Sequence, residues 1–434
     1  MTAEIGILNR HGVALAADSA VTITQGGKLK VLNTANKLFN LSKYEPVGIM
    51  IYGNGSYINT PWDIIIKEYR RKLGEDKFDS LKEYADDFFE FLFTYEKVNT
   101  IGVQRQLAGR MFCERLDEIL SQVNHELYSR YEGSKPPEEE VKVVLEDYIK
   151  NYINHIEGFN DLYAETLITF EEYRMEFYEI LRGIISESVY FELDQSSIED
   201  LIKVGYYSLT KDNFINYTGI VIAGYGDKDI FPTIYEYYVN GVVKDFRRYK
   251  LNRNGRVDAE QSNTATIMPF AQQEMVHSVV SGIDPYLYNE IQEVLSSVTL
   301  NIGELVKTII ETYNLDIDYS KYEAVFIEAG KEIKKESINV IEKVRQEKFI
   351  TPILNMVEML HKDELATMAE NLVNLTSFKR RITIDEETVG GPVDVAVISK
   401  TDGFIWIKRK HYFNPDINYN YFNKVKERCE FVSK

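Results

Sequence analysis

Hydrophobic and polar positions change their spacing four times along the chain. From about Thr2 to Gly55 the apolar residues come in short runs, Ile5-Gly6-Ile7-Leu8 and Val13-Ala14-Leu15-Ala16-Ala17, separated by the turn-like Asn9-Arg10-His11-Gly12. A second pair, Leu38-Phe39-Asn40-Leu41 and Val47-Gly48-Ile49-Met50-Ile51-Tyr52, flanks Lys43-Tyr44-Glu45-Pro46. Runs this apolar predict strands covered on both faces. From about Pro61 to Leu209 the spacing becomes helical, with Phe88-Phe89, Phe91-Leu92 and Tyr95 recurring on one face. Gly133-Ser134-Lys135-Pro136-Pro137 breaks that block before a new helix start. Strands return over Tyr217–Gly226 and Thr233–Tyr238, and Asn240-Gly241 predicts a hairpin turn into Val242–Phe246. Helical spacing then runs from about Phe270 to Phe378, interrupted at Pro285 and Pro352. A last hairpin joins Val393–Ile398 to Phe404–Ile407 through Thr401-Asp402-Gly403, and the tail after Lys410 is basic and aromatic. Strand blocks alternating with helical blocks predict an α+β fold, or sheets sandwiched between helices.

Composition narrows the classes of function. The 434 residues are 44% hydrophobic and 27% charged, which suits a globular core. Fifty basic residues stand against 68 acidic ones, a net charge of −18 that would repel a phosphate backbone, so no nucleic-acid partner is expected. No apolar run approaches the roughly 18 residues of a membrane helix. The start, Met1-Thr2-Ala3-Glu4-Ile5, lacks the basic-then-apolar pattern of a secretory signal. Two distant cysteines, Cys113 and Cys429, make neither a disulfide framework nor a zinc site, and the six histidines show no metal spacing. The expectation is a reduced, soluble, cytoplasmic protein that needs no cofactor.

Chemistry concentrates at the open ends of the first two hairpins. If the first turns near Arg10-His11-Gly12, Thr2 and Asp18 lie almost opposite each other, with their midpoint at residue 10. If the second turns near Tyr44-Glu45, Lys37 and Gly53 are nearly opposite as well. A hydroxyl, a carboxylate, an ammonium and a flexible backbone N–H converge if the sheets bring those ends together. Loss of Met1 would leave Thr2 with a free α-amine, whose reference pKa near 7.7–8.0 lets it act as a base for its own hydroxyl. Lys37 would favour the developing alkoxide, Asp18 would hold Lys37 charged, and the Gly53 N–H would face the oxyanion. Taken singly, each residue reads as well as a terminus, a turn residue, a surface lysine or a strand-end glycine.

The combination resembles a family. Thr2–Ile7, Gly12-Val13-Ala14-Leu15-Ala16-Ala17-Asp18-Ser19, Asn36-Lys37-Leu38-Phe39 and Val47–Gly53 look like the opening of a proteasome β-type subunit. Gly390-Gly391-Pro392-Val393-Asp394-Val395-Ala396-Val397-Ile398 with Asp402-Gly403-Phe404 is similar to that family's closing strands. These are the N-terminal-nucleophile (Ntn) hydrolases, whose fold is a four-layer αββα sandwich. The matches cover about residues 2–56, 217–246 and 383–408, roughly a quarter of the chain. The resemblance implies Thr2 as nucleophile, Asp18 and Lys37 as its charge partners, Gly53 as oxyanion donor, and Thr22 as a backbone partner of bound peptide. The family commonly has an aspartate and a serine just before the double glycine; here Glu386 and Val389 stand there. Glu386 could replace the acid, whereas Val389 has no hydroxyl. The family's other serine has no clear counterpart among Ser262, Thr264 and Thr266.

The resulting division is an Ntn-hydrolase core in 1–60, 210–284 and 366–410, a helical insertion in 61–209, a helical extension in 285–365 and a tail in 411–434. The helical surplus has four open readings: a lid, an oligomer contact, a partner surface, or packing on the sandwich. The expected activity is that of a threonine-type peptidase acting on peptide or protein substrates, in a homo-oligomer and with room for an unfoldase partner. A small-molecule amidohydrolase and a catalytically silent scaffold are the alternatives.

Overall fold

The structure, a computed structural model, describes residues 2–25, 28–165, 167–258, 264–383, 389–420 and 423. The chain opens with eight strands: β1 (Ala3–Asn9), β2 (Gly12–Ala17), β3 (Val21–Gln25), β4 (Lys28–Leu32), β5 (Leu38–Asn40), β6 (Val47–Gly53), β7 (Ser56–Tyr57) and β8 (Thr60–Pro61). Six helices follow: α1 (Trp62–Leu73), α2 (Leu81–Thr94), α3 (Ile101–Tyr131), α4 (Glu138–Glu157), α5 (Phe170–Ser188) and α6 (Gln195–Thr210). Four strands return, β9 (Thr218–Gly224), β10 (Thr233–Val243), β11 (Phe246–Arg256) and β12 (Ala265–Ala271). Helices α7 (Glu274–Ser281), α8 (Pro285–Leu300), α9 (Ile302–Thr312), α10 (Glu323–Arg345), α11 (Thr351–Met359) and α12 (Lys362–Ile382) lead to the closing hairpin, β13 (Asp394–Ser399) and β14 (Gly403–Lys408). The fold is α+β, with antiparallel sheets and many helices.

Two compact units form. The first comprises Met1–Leu38, Ile230–Thr233 and Gly255–Lys434 and carries a five-stranded sheet in the order β12-β1-β2-β13-β14. Every residue of β1, β2 and β13 is buried, as the uninterrupted apolar runs predict. Helix α12 lies across β1, β2 and β13. Its Leu365, Ala369, Leu372 and Val373 join a core with Ile5, Ile7, Val395 and Val397, and the small side chains of Ala14 and Ala16 let the helix sit close to the middle strand. Strand β12 runs to Ala271, into the start of the stretch whose spacing reads as helical from about Phe270, and its Pro269 removes a ladder donor. It is tolerated on an edge strand, where Pro269 faces Ile5 of β1 and no further strand lies beyond it. Strands β3 and β4 form a separate two-stranded ribbon.

The second unit comprises Phe39–Asp229 and Ile234–Asn254, with its own sheet in the order β11-β10-β9-β6-β5. Its core is aromatic: Tyr69 packs edge-on to Phe88, and Phe89 packs against Tyr237 and Tyr249. The Tyr and Phe residues of the helical block thus serve as core. Ser80 with Glu83 and Thr169 with Glu172 form capping boxes that start α2 and α5. The Asn240-Gly241 turn expectation is corrected. Strand β10 runs on to Val243, and Lys244, at φ 52°, takes the left-handed turn instead. Gly241 lies inside the strand because a Cβ there would come 2.6 Å from Leu107 of α3.

Candidate active site

The first hairpin turns half a residue later than the midpoint argument expects, which shifts the pairing by one residue. Asn9 faces Gly12, so Ala3 rather than Thr2 comes opposite Asp18. The Asp18 N–H donates to the Ala3 carbonyl at 3.0 Å, and the Ala3 N–H donates back to Asp18 Oδ1 at 3.2 Å. Thr2 sits immediately before β1, and its carbonyl accepts from the Gln272 N–H at 3.2 Å, just past the end of β12. Lys37 stands immediately before β5.

Lys37 joins the other two. Its Nζ donates to Thr2 Oγ1 at 2.9 Å and to Asp18 Oδ1 at 2.6 Å. All three residues are buried, with relative exposures of 6% for Thr2, 1% for Asp18 and 5% for Lys37. A buried ion pair persists only when its remaining lone pairs and protons are satisfied. Asp18 meets that condition, because Oδ2 accepts from the Gly390 N–H at 2.9 Å and the Ala20 N–H at 3.4 Å. The carboxylate is therefore held from both sides, and it in turn aims the ammonium at the threonine oxygen. An ammonium donating to a hydroxyl oxygen favours the oxyanion form of that hydroxyl.

Gly390 and its neighbours lock the remaining loops. The Ser19 N–H donates to the Gly390 carbonyl, Ser19 Oγ to the Pro392 carbonyl, and the Ala35 N–H to the Ser19 carbonyl. Gly391 must be glycine, since it holds φ 77° and a Cβ would lie 2.8 Å from the Cβ of Asn33. A cleft of about 260 Å³ opens beside this corner, lined by Val31, Asn33, Arg381, Val389, Gly390 and Gly391. Gly390 and Gln272 are site residues that the sequence reading left without a role. The Gly390-Gly391 pair was the available signal for the first, and Gln272 carries none.

The other expected site residues are placed as follows. Thr22 lies in β3 opposite Val31, half-buried. Gly53 ends β6 in the second unit, opposite Thr218, with φ 78° and no room for a Cβ against the Tyr217 carbonyl. Val389 is buried in the apolar core of the first unit. Glu386 and Ser262 lie outside the described residues, as does Cys429, while Cys113 is a half-buried free thiol in α3. Thr266 is in β12, and Thr264 directly precedes it. Among the described residues no group of three or more His, Cys, Asp or Glu could hold a metal, and no helix is long and apolar enough to cross a membrane.

No family model matches the chain, and no curated protein matches its sequence. Among solved structures, an Anbu (Gly-1) mutant from Hyphomicrobium sp. strain MC1 is similar at 8% identity over 99% of this chain and 97% of its own, with a TM-score of 0.29. Anbu, an ancestral beta-subunit, from Yersinia bercovieri is similar at 10% identity over 98% of this chain and 96% of its own, with a TM-score of 0.27.

Proposed function

We propose that this protein is an N-terminal threonine hydrolase that cleaves peptide amide bonds, on the four-layer αββα architecture of the Ntn hydrolases. The observation that carries the reading is the Lys37 ammonium, shared between Thr2 Oγ1 and Asp18 Oδ1 in a buried setting. With Thr2 as first residue, its α-amine takes the hydroxyl proton as Oγ attacks the substrate carbonyl carbon. Lys37 steadies the charge on Oγ while the substrate's carbonyl oxygen becomes an oxyanion, the charge for which the resemblance implies the Gly53 N–H as donor. The amine then returns the proton to the departing nitrogen, leaving an ester on Thr2. Water attacks that ester by the same route and frees the hydroxyl. No cofactor enters these steps.

In this proposal residues 1–60, 210–284 and 366–410 make the hydrolase core, 61–209 and 285–365 are helical additions, and 411–434 is a tail. Thr22 pairs with bound peptide, and Glu386 supports the nucleophile. The setting is a cytoplasmic homo-oligomer that meets unfolded chains, with or without an unfoldase. A second reading, a catalytically silent scaffold, is favoured by Val389, which is packed in the core where the resemblance leads one to expect a serine hydroxyl. A small-molecule amidase is the third. Purified protein of native N-terminus, tested on fluorogenic peptides and on simple amides, separates them. The proposal expects an unacetylated chain starting at Thr2 that cleaves peptides, and no cleavage by Thr2→Ala. A native chain that keeps an extended or acetylated terminus ends the same-residue mechanism.

A further inference from the structure

Of the 37 large hydrophobic side chains exposed among the described residues, 18 lie between Tyr286 and Met359. Among the described side chains of helices α8, α9 and α10 no large hydrophobic one is buried; the buried residues there are Thr299, Gly303 and Gly330. Helices of this length gain their stability from a packed apolar face rather than from propensity. This segment therefore lacks a core of its own.

Its geometry shows where the missing core belongs. Helices α8 and α10 pack side by side and antiparallel: a Cβ on Gly330 would meet the Thr299 carbonyl at 2.4 Å, while Tyr288 at the other end reaches Glu342 and Arg345. The half-buried row on α8 runs through Tyr288, Gln292 and Leu295 to Thr299, and on α10 through Lys334, Ile338, Ile341 and Arg345. One position before these lies a mainly apolar stripe, interrupted on α10 by Ser337. On α8 it is Leu287, Ile291, Val294 and Val298, and on α10 it is Ile333, Val340 and Val344. The offset has the same sense on both helices. Because they are antiparallel, both stripes emerge on the same side of the pair. The result is a two-helix layer with one side that is apolar apart from Ser337, and Leu287, Val294, Val298, Ile333, Val340 and Val344 on it are all exposed.

Charge selects the occupant. In α10, residues 323–333 carry three glutamates and one lysine, net −2, whereas residues 334–345 carry three lysines, one arginine and two glutamates, net +2. A chain of net −18 approaching its own copy elsewhere meets repulsion. At α10, turned end for end, each acidic half meets a basic half. The stripe extends back from Ile333 to Ala329 and Val325, so its centre falls near Ile333, where the two halves join. We propose that this face is covered by the same face of a second copy of this chain. The contact is isologous, with α10 antiparallel to α10 across a two-fold axis near Ile333, and the two layers close as a four-helix bundle. The inference does not depend on hydrolytic activity.

Light scattering on the full chain tests it. The wild type should have twice the 50.3 kDa chain mass, or an even multiple of it. Ile333→Glu, which sets like charges against each other at the axis, should halve that mass without moving the far-ultraviolet spectrum, since Ile333 is exposed in one chain. Lys334→Glu with Lys335→Glu should halve it too, and adding Glu328→Lys with Glu332→Lys should restore it. A monomeric wild type, or a mass unchanged by Ile333→Glu, overturns the proposal. So does failure of the fourfold charge exchange to restore the mass, which would assign the face to a different partner.

Discussion

Gly390 and Asp18, 372 positions apart in the chain, meet in a buried hydrogen bond of 2.9 Å from the Gly390 N–H to Asp18 Oδ2. That bond joins the end of β2 to the approach of β13, because Asp394 of β13 pairs with Ala17 of β2. Asp18 is thereby a structural anchor as well as the partner of Lys37. Three backbone donors and one ammonium converge on its two oxygens, which uses the acceptor capacity of an ionised carboxylate and of no neutral side chain.

Asp18→Asn should consequently harm the fold and not only the chemistry. Its NH₂ group would face N–H donors, and Lys37 would be left buried without a counter-charge. Breaking a buried pair in this way costs about 3–5 kcal/mol. Denaturant unfolding should show a lowered midpoint, and a midpoint equal to wild type would show that the carboxylate is not the anchor.

Lys37→Ala should weigh more on chemistry than on the fold, because the Asp18 carboxylate it leaves without a counter-charge keeps three backbone N–H donors. Hydrolysis should fall on the order of 10²-fold or more, as for loss of a preorganised charge at a developing oxyanion. Circular dichroism should still report a folded chain. Near wild-type turnover in a folded Lys37→Ala protein would show that the ammonium is not needed.

Glu114 of α3 predicts a pH dependence of stability. Burial raises its pKa above the ordinary carboxylate value, and the hydrogen bond with Asn216 only partly offsets this. The folded chain therefore holds this proton more tightly than the unfolded chain does. Stability falls as pH rises from about 4.3, the unfolded value, through the higher folded value, and stays at the lower level above it. Glu114→Gln should raise the melting temperature at pH 7 and leave it unchanged near pH 4. An equal gain at both would assign the effect to packing.

How much of this was legible from sequence depends on the kind of contact. Thr2, Asp18 and Lys37 could be singled out because each ends or precedes an apolar run and together they resemble the opening of a proteasome β-type subunit; that the three side chains meet was not readable from the pattern. The register was readable only to within one residue, because Arg10-His11 closes the first turn between Asn9 and Gly12 and shifts Asp18 from Thr2 to Ala3. The Gly390 N–H was not readable, because a backbone donor leaves no trace in residue type and its position follows from the pairing of β13 with β2. Strand β12 is not marked by the pattern, since its Ala265–Ala271 run holds a proline, which is at home only on an edge strand. The β3–β4 ribbon has its signal in the alternating runs Val21–Gln25 and Lys28–Leu32.

Arg248 offers a test within the second unit alone. Its guanidinium is buried and donates to the carbonyls of Leu209, Lys211 and Asn213 at 2.5, 2.8 and 2.8 Å, closing the end of α6. Arg248→Met keeps much of the volume and removes three hydrogen bonds; the Asn213 carbonyl still accepts from Arg115 and the Lys211 carbonyl from the Asn213 N–H, so the main loss is at the Leu209 carbonyl, about 1–3 kcal/mol for a buried acceptor. The urea midpoint should drop sharply, and a drop within error of zero would mean that water replaces the guanidinium.

The central claim is that Thr2 is a nucleophile activated where it sits, and intact-mass spectrometry with a peptide epoxyketone tests it most directly. Native protein beginning at Thr2 should gain one adduct per chain, mapped to Thr2, while Thr2→Ala gains none and Lys37→Ala gains it far more slowly. A folded native chain that stays unlabelled, or an adduct that persists in Thr2→Ala, would contradict the account.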